Sequence, residues 1–136
     1  PYLSTVRATP AAGKILATTI DYPMVMDTVG CDPVWLKANP KAAQALTNSY
    51  FEALEMIKAD PTKANEIMGA AVKQTGEAFA KSSACLRWQD KAANQKFFAG
   101  ELTSFMKDAG AILLEAGVVR KAPENFPAMF DDSFIK

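Results

Sequence analysis

The sequence predicts a helix-rich α/β fold with about five helices and a small β element of two strands. Three observations lead to this prediction. After residue 32, apolar residues recur every three or four positions, as they do on the buried face of a helix. Asp-Pro or Asn-Pro pairs, which are typical helix starts, open several of these stretches. Nearer the N-terminus, two short β-prone segments lie between turn-forming residues.

Length and composition indicate one domain of an ordinary globular protein. The chain has 136 residues, of which 49% are hydrophobic and 22% charged. Fifteen basic and fifteen acidic side chains cancel, which disfavours a nucleic-acid partner. No apolar run approaches the roughly 20 residues of a membrane span, and no signal peptide is recognisable. The chain opens at Pro1 inside a helix-like phrase, so we expect it to be part of something longer.

The β element is predicted from two segments near the N-terminus. Residues 14–19, KILATT, are bounded by glycine on one side and by Asp-Tyr-Pro on the other, as a strand would be. Residues 24–30, MVMDTVG, are β-prone without clean alternation, which is typical of a strand covered on both faces. Two strands make only a marginal sheet, so we expect them to need further partners. Residues 2–7 before them read as the end of a helix.

The principal helix is predicted at residues 39–60, NPKAAQALTNSYFEALEMIKAD. Asn39 is a good N-cap, and Pro40 fits the first helical position because its missing N–H would have no intrahelical partner there. One apolar stripe follows at steps of three and four: Ala43, Leu46, Tyr50, Leu54 and Ile57. This helix therefore buries one face and exposes the other.

The remaining helices are predicted from their start and stop signals. Four residues begin them: Asp32, Asp60, Thr75 and Asp90. Gly117 is placed to end the last long helix in the left-handed conformation. Gly110 inside that helix costs about 1 kcal/mol relative to alanine, so the helix can break there. Residues 118–136 contain two prolines, and they read as an extended C-terminal strap that Phe126, Phe130, Phe134 and Ile135 pin to the body.

The residue types present disfavour catalysis and metal binding. The chain has no histidine, which removes the commonest general base. Asp27 interrupts an apolar segment, so it lies at a strand end, is paired, or faces a cleft. Cys31 and Cys85 are too few for a zinc site. The residues favour two buried thiols that behave as small hydrophobic side chains, and a disulfide between them in an oxidising compartment is the alternative. We assign no catalytic residue, no metal ligand and no cofactor.

Four aromatic residues are candidates for stacking on a ligand. Trp35 and Trp88 lie in helical patterns, where an anchoring role in the core is the alternative. Tyr2 and Tyr22 lie in segments that separate the predicted elements, where binding residues tend to occur.

The order of several phrases resembles the C-terminal half of substrate-binding proteins of ABC importers in the nitrate, sulfonate and taurine family. These phrases are PYLSTV, GKILATT, an Asp-Tyr-Pro loop, LKANP, AAQALTNSYFEALEMIKADPTKANEIM, KAANQKFFAGEL and ILLEAGVV. The most specific part is residues 35–68, where a helix beginning at Asn-Pro carries a Tyr-Phe-Glu-Ala-Leu core and runs into Asp-Pro. Weaker agreement extends over essentially the whole chain.

The resemblance implies a type II periplasmic-binding-protein fold, in which two α/β lobes hold a small molecule between them. Residues 1–136 would then be a C-terminal portion, mainly from the first lobe. Ligand contacts are implied at Tyr2, Thr19, Asp21 and Tyr22, although Asp21 also reads as a turn former and Thr19 as an ordinary strand residue. The acidic position that precedes the Pro-Tyr phrase in the family has no counterpart here.

The function that the resemblance implies is solute capture outside the cytoplasm, in the periplasm. The solute would be small and polar or anionic (a sulfonate, taurine, nitrate or similar), and an ABC permease of the inner membrane would receive it. The first half of such a protein has no counterpart here, which suggests a fragment, a proteolytic product, or self-association through exposed strand edges. The alternative is a helical protein-interaction module with an exposed apolar groove. An enzyme is a third interpretation, since relatives of this fold include pyrimidine-precursor synthases, but the absence of histidine disfavours it.

Overall fold

Helices account for most of the chain in the computed structural model, which describes residues 2–22 and 25–136 apart from the side chains of Tyr2, Ser4, Thr5 and Pro10. The α-helices are α1 (Tyr2–Ala8), α2 (Pro33–Ala38), α3 (Pro40–Ala59), α4 (Pro61–Ala71), α5 (Gly76–Ser83), α6 (Lys91–Lys96) and α7 (Leu102–Glu115). A π-helical turn, Phe97–Glu101, joins α6 to α7. Short 3₁₀ turns occur at Pro10–Ala12, Phe126–Met129 and Ser133–Ile135.

The prediction of an α/β fold with a two-strand element is wrong. The described residues are 64% helical and contain no strand, so their fold is all-α. Residues 14–19 lie in irregular backbone, as do residues 25–30 of the second predicted strand; Met24 lies outside the described residues. Their apolar side chains are largely exposed, including Leu16 at 94% and Val25 at 74%. A strand forms only where neighbouring backbone accepts and donates its hydrogen bonds, and neither segment has such a neighbour in the described chain.

The predicted helix starts are confirmed, since three helices are capped by the side chains named from the sequence. Asp32 accepts from the Trp35 amide at 2.8 Å and Asp60 from the Lys63 amide at 3.0 Å. Thr75 accepts from the Ala78 amide. Each such bond satisfies one of the N–H groups that a helix leaves free at its first turn.

Asn39 begins the principal helix in a different way from the one predicted. Its carbonyl oxygen accepts the first helical bond of α3, from the Ala43 amide at 3.1 Å. Its side chain points back instead and donates to the Trp35 carbonyl at 3.0 Å, where α2 ends. One residue therefore ends α2 and begins α3.

The last long helix starts and stops where the sequence predicts. Asp90 accepts from the Ala93 amide at 2.9 Å. At the other end Gly117 has φ +69°, and the Val118 amide donates to the Leu113 carbonyl at 3.0 Å. This is a Schellman motif, which requires the left-handed conformation that glycine adopts without strain. α7 continues through Gly110 without a break, and the irregular turn lies earlier, at Phe97–Glu101.

The described chain divides into two compact units, each with a small core. One unit consists of the chain up to Gly30 together with Ala53–Trp88, and the other of Cys31–Glu52 together with Gln89–Lys136. The first buries Leu54, Ala64 and Gly69; the second buries Ala43, Leu102, Gly110 and Ile135. The predicted stripe of α3 is thus buried at Ala43 and Leu54, whereas Leu46 stays 51% exposed.

Residues 118–136 cross the second unit in irregular backbone with two 3₁₀ turns. Phe126 lies against Gly110 of α7, and Phe130 meets Phe98 edge to face, with ring centroids 5.6 Å apart. Such edge-to-face pairs stabilise a contact beyond the area they bury. Ile135 is the buried apolar side chain of this segment.

Candidate functional site

The turn at residues 18–22 brings together three of the four residues for which ligand contacts are implied. Thr19, Asp21 and Tyr22 all lie in it, and all three are exposed, Tyr22 at 70%. For Tyr2 the structure describes the backbone, as the first residue of α1, but not the side chain. Whether Tyr2 joins the others therefore stays a prediction.

The Asp21 carboxylate holds this turn closed. Its Oδ2 accepts from the Thr18 amide at 2.9 Å and from the Thr18 hydroxyl at 3.1 Å. The Asp21 amide donates in return to the Thr18 carbonyl at 3.1 Å, and the Ile20 amide donates to the Thr18 hydroxyl at 3.2 Å. Aspartate and threonine favour turns because their short side chains bond to nearby backbone in this way. Asp21 is therefore a turn former, as the alternative interpretation of the sequence had it.

Thr18 is the residue of this turn that the sequence analysis missed. It lies three positions before Asp21, a spacing at which the two side chains can bond to each other and to the intervening backbone. Because Thr18 and Asp21 satisfy each other, the groups left to meet a solute are the Thr19 hydroxyl, the Tyr22 ring and hydroxyl, and the second carboxylate oxygen of Asp21.

A shallow groove lies between α4 and α5 of the same unit. It has a volume of about 340 Å³ and is lined by Pro61, Thr62, Asn65, Glu66, Gly76, Glu77 and Ala80. Lys81 donates to the Glu77 carboxylate at 2.7 Å, and this hydrogen bond and charge lower the pKa of Glu77. The lining is mixed, since the polar or acidic Thr62, Asn65, Glu66 and Glu77 stand beside Pro61, Gly76 and Ala80.

The other candidate residues lie apart from the turn. Trp35 is 43% exposed and Trp88 41% exposed, so each is a half-exposed ring rather than a core anchor. Asp27 is exposed. Cys31 and Cys85 are free, exposed thiols in different units, and their pairing stays a prediction.

The described residues show neither a metal-binding cluster nor a membrane-spanning helix. No group of three or more cysteine, aspartate or glutamate side chains in residues 2–22 and 25–136 is arranged to hold a metal ion. Within those same ranges, no helix combines the length and the apolar character needed to cross a membrane.

No protein-family model, curated protein or solved structure matches this chain.

Proposed function

We propose that this chain is part of the extracytoplasmic solute-binding component of an ABC importer, which captures a small polar solute and passes it to a membrane permease. The observation that carries the proposal is the succession α2–α3–α4. It covers the segment in which the resemblance to the nitrate, sulfonate and taurine family is most specific. Asp32 and Asp60 cap α2 and α4, and Asn39 ends α2 as α3 begins. The segment that carries the resemblance therefore forms three consecutive helices, as its Asp-Pro and Asn-Pro pairs predict.

The turn at residues 18–22 is the surface on which we place solute contact. Thr19 offers a hydroxyl, and Tyr22 offers a hydroxyl and a largely exposed ring. The turn is held by its own hydrogen bonds, so the backbone that carries these groups is ordered before a solute arrives, which lowers the entropy cost of binding.

The charge of this turn favours one kind of solute. Asp21 keeps a carboxylate oxygen beyond the one that Thr18 occupies. A carboxylate attracts an ammonium group and repels a bare anion, and like-charge juxtaposition is a common means of rejecting the wrong partner. Among the solutes of the family, one that carries an amino group, such as taurine, suits this turn better than nitrate. The solute binds without a chemical step, so the proposal assigns no enzymatic activity.

A helical interaction module is the second candidate, because apolar side chains are exposed at the end of α7. Ile112, Leu113 and Leu114 are 54%, 41% and 46% exposed, and Val118 just beyond the helix is 69% exposed. Consecutive helix positions point in different directions, so these side chains do not form one stripe of the kind that a groove-binding helix uses.

A thermal-shift experiment with matched variants tests the solute-binding proposal. Taurine, an alkanesulfonate, nitrate and bicarbonate are added to the full chain, with light scattering to report its mass. A solute at 100 times its dissociation constant adds about 2.7 kcal/mol of stability. We expect taurine to raise the Tm of the wild type and of Val29→Ala, and to leave that of Tyr22→Ala unchanged. Val29 is the control because it is 75% exposed and lies, like Tyr22, outside the helices.

The outcomes separate the two candidates. A shift that Tyr22→Ala abolishes supports solute binding at the turn. A shift that all three proteins share places the solute elsewhere on the chain. No shift with any solute, from a chain that scatters light as a larger assembly, favours the interaction module.

A further inference from the structure

The last residues of the chain are held by polar side chains from two helices that are distant in sequence. Three successive carbonyl oxygens each accept one side-chain hydrogen bond. The pairs are Gln44 Nε2 to Phe134 at 2.9 Å, Gln95 Nε2 to Ile135 at 2.8 Å and Lys91 Nζ to Lys136 at 3.0 Å. Gln44 belongs to α3, whereas Lys91 and Gln95 belong to α6.

An apolar anchor accompanies these hydrogen bonds. The Ile135 side chain is only 9% exposed, while Met129 in the same segment is 58% exposed. Phe134 beside it is half-buried. Because Ile135 also has its carbonyl bound by Gln95, side chain and backbone are fixed at the same point.

The tail makes two aromatic contacts with the helices upstream of the turn Ser133–Ile135. These are Phe130 against Phe98 and Phe126 against Gly110. Between the two 3₁₀ turns the chain has no regular structure. A short irregular segment held by a few side chains is the kind of structure that opens locally while the rest of a protein stays folded.

The second unit is built from two stretches of chain, and the tail connects them. Cys31–Glu52 supplies the first part of α3, and Gln89–Lys136 supplies α6, α7 and the tail. Hydrogen bonds join the two stretches. Gln44 of the first donates to the Phe134 carbonyl of the second, and the Tyr50 hydroxyl donates to the Gln89 carbonyl at 3.1 Å. The Gln44 bond is lost whenever the last turn leaves its place.

We infer that residues 133–136 are a latch that clamps the first half of α3 to α6, and that the two open together. When the latch is closed, Gln44 and Gln95 bond to neighbouring carbonyls and the Ile135 side chain is buried. When it opens, residues 40–48 lose the link that Gln44 makes to the second stretch of the unit, while the Tyr50 hydroxyl keeps its bond to the Gln89 carbonyl. The order of residues 40–48 thus depends on residues 133–136.

Hydrogen–deuterium exchange on the full-length chain tests this latch with a pair of charge substitutions. Ile135→Asp places a carboxylate at a buried position, whereas Met129→Asp places the same group at an exposed position of the same tail. We expect Ile135→Asp to speed exchange at least about 10-fold in residues 126–136 and in residues 40–48. Met129→Asp should leave both segments as in the wild type, and α4 and α5 should keep their rates in both variants.

Two results would overturn the inference. Faster exchange in the tail with unchanged rates in residues 40–48 would make the tail a passive strap. An equal rise throughout α4 and α5 would mean that Ile135→Asp unfolds the chain as a whole, with no separate latch.

A milder variant checks the hydrogen bonds themselves. Gln95→Glu keeps the size of the side chain, removes its N–H donor and sets a carboxylate beside the Ile135 carbonyl. Gln74→Glu makes the same change on an exposed residue of the other unit. We expect a several-fold faster exchange in residues 126–136 and 40–48 for Gln95→Glu and none for Gln74→Glu. Equal behaviour of the two variants would show that these bonds do not hold the latch.

Discussion

The Phe126 ring lies directly against the backbone of Gly110, so that a Cβ at position 110 would come 3.2 Å from the ring Cζ. Gly110 is buried in the middle of α7, and Phe126 begins a 3₁₀ turn of the tail. The glycine that the sequence suggests as a break in the helix is instead the place where the tail packs on it. Its cost in helix propensity is offset by the close approach of the aromatic ring.

Substitution of Gly110 by leucine should displace Phe126 from α7. A large side chain in this contact overpacks it, and we expect the free energy of unfolding to fall by about 2 kcal/mol. The matched control is Gly100→Leu in the same long helical segment, since a Cβ at Gly100 meets nothing within 4 Å. Urea unfolding of the two variants measures the difference. Equal stabilities would contradict the contact between Phe126 and Gly110.

Gly69 should tolerate even alanine poorly, because the obstacle there is backbone. A Cβ at this buried position would lie 2.9 Å from the Thr75 carbonyl oxygen, in the chain that leads from α4 to α5. The gain of about 1 kcal/mol in helix propensity is outweighed by this clash, and we expect a net loss of about 1–2 kcal/mol. Gly30→Ala, at a site with nothing within 4 Å, serves as the control in the same denaturation experiment. A stabilised Gly69→Ala would show that α4 and α5 pack less closely than described.

Lys73 should be improved by glycine. It has φ +59°, in the left-handed region where a non-glycine residue costs about 1–2 kcal/mol. Glycine relieves this strain but also loosens the unfolded chain, so we expect a net gain of about 0.5–1 kcal/mol, which differential scanning calorimetry would detect as a rise in Tm of a few degrees. Lys107→Gly, inside α7, should instead lose about 1 kcal/mol. If both substitutions destabilise the protein, Lys73 is not in the left-handed conformation.

The helix starts could be predicted from the sequence because their signals are local. Asp32, Asp60 and Thr75 each bond to an amide three positions ahead, so a few consecutive residues determine the cap. The turn at Thr18 is equally local, and the Thr-x-x-Asp spacing carried the information that the sequence analysis overlooked. Thr19, Asp21 and Tyr22 share a turn because they are adjacent in sequence, which tells less about a site than three distant residues brought together would.

The absence of strands in residues 14–19 and 25–30, and the presence of the π-helical turn, could not be predicted because both depend on packing partners outside those segments. Residues 14–19 have strand propensity, but propensity expresses fit to a sheet, and the described chain provides no sheet for them to join. The π-helical turn holds both Phe97 and Phe98. Phe97 packs edge to face on Phe105, and Phe98 on Phe130 of the tail. These different partners are seen only in the packed structure.

Protonation of Asp131 should loosen the last turn of the tail. The Ser133 hydroxyl and then its amide, whose nitrogen lies 2.9 Å from Asp131 Oδ1, bond to this carboxylate and lower its pKa. Because the pKa in the folded chain lies below the unfolded value of about 3.9, the bond stabilises the turn above about pH 4. That contribution is lost as the pH falls through the lower, folded pKa. An NMR titration of the Asp131 carboxyl carbon should show a depressed midpoint that Ser133→Ala moves up towards the ordinary value. Ser104→Ala, at an exposed position of α7, should leave the midpoint unchanged. An identical midpoint in the wild type and Ser133→Ala would mean that the hydroxyl does not bond to Asp131.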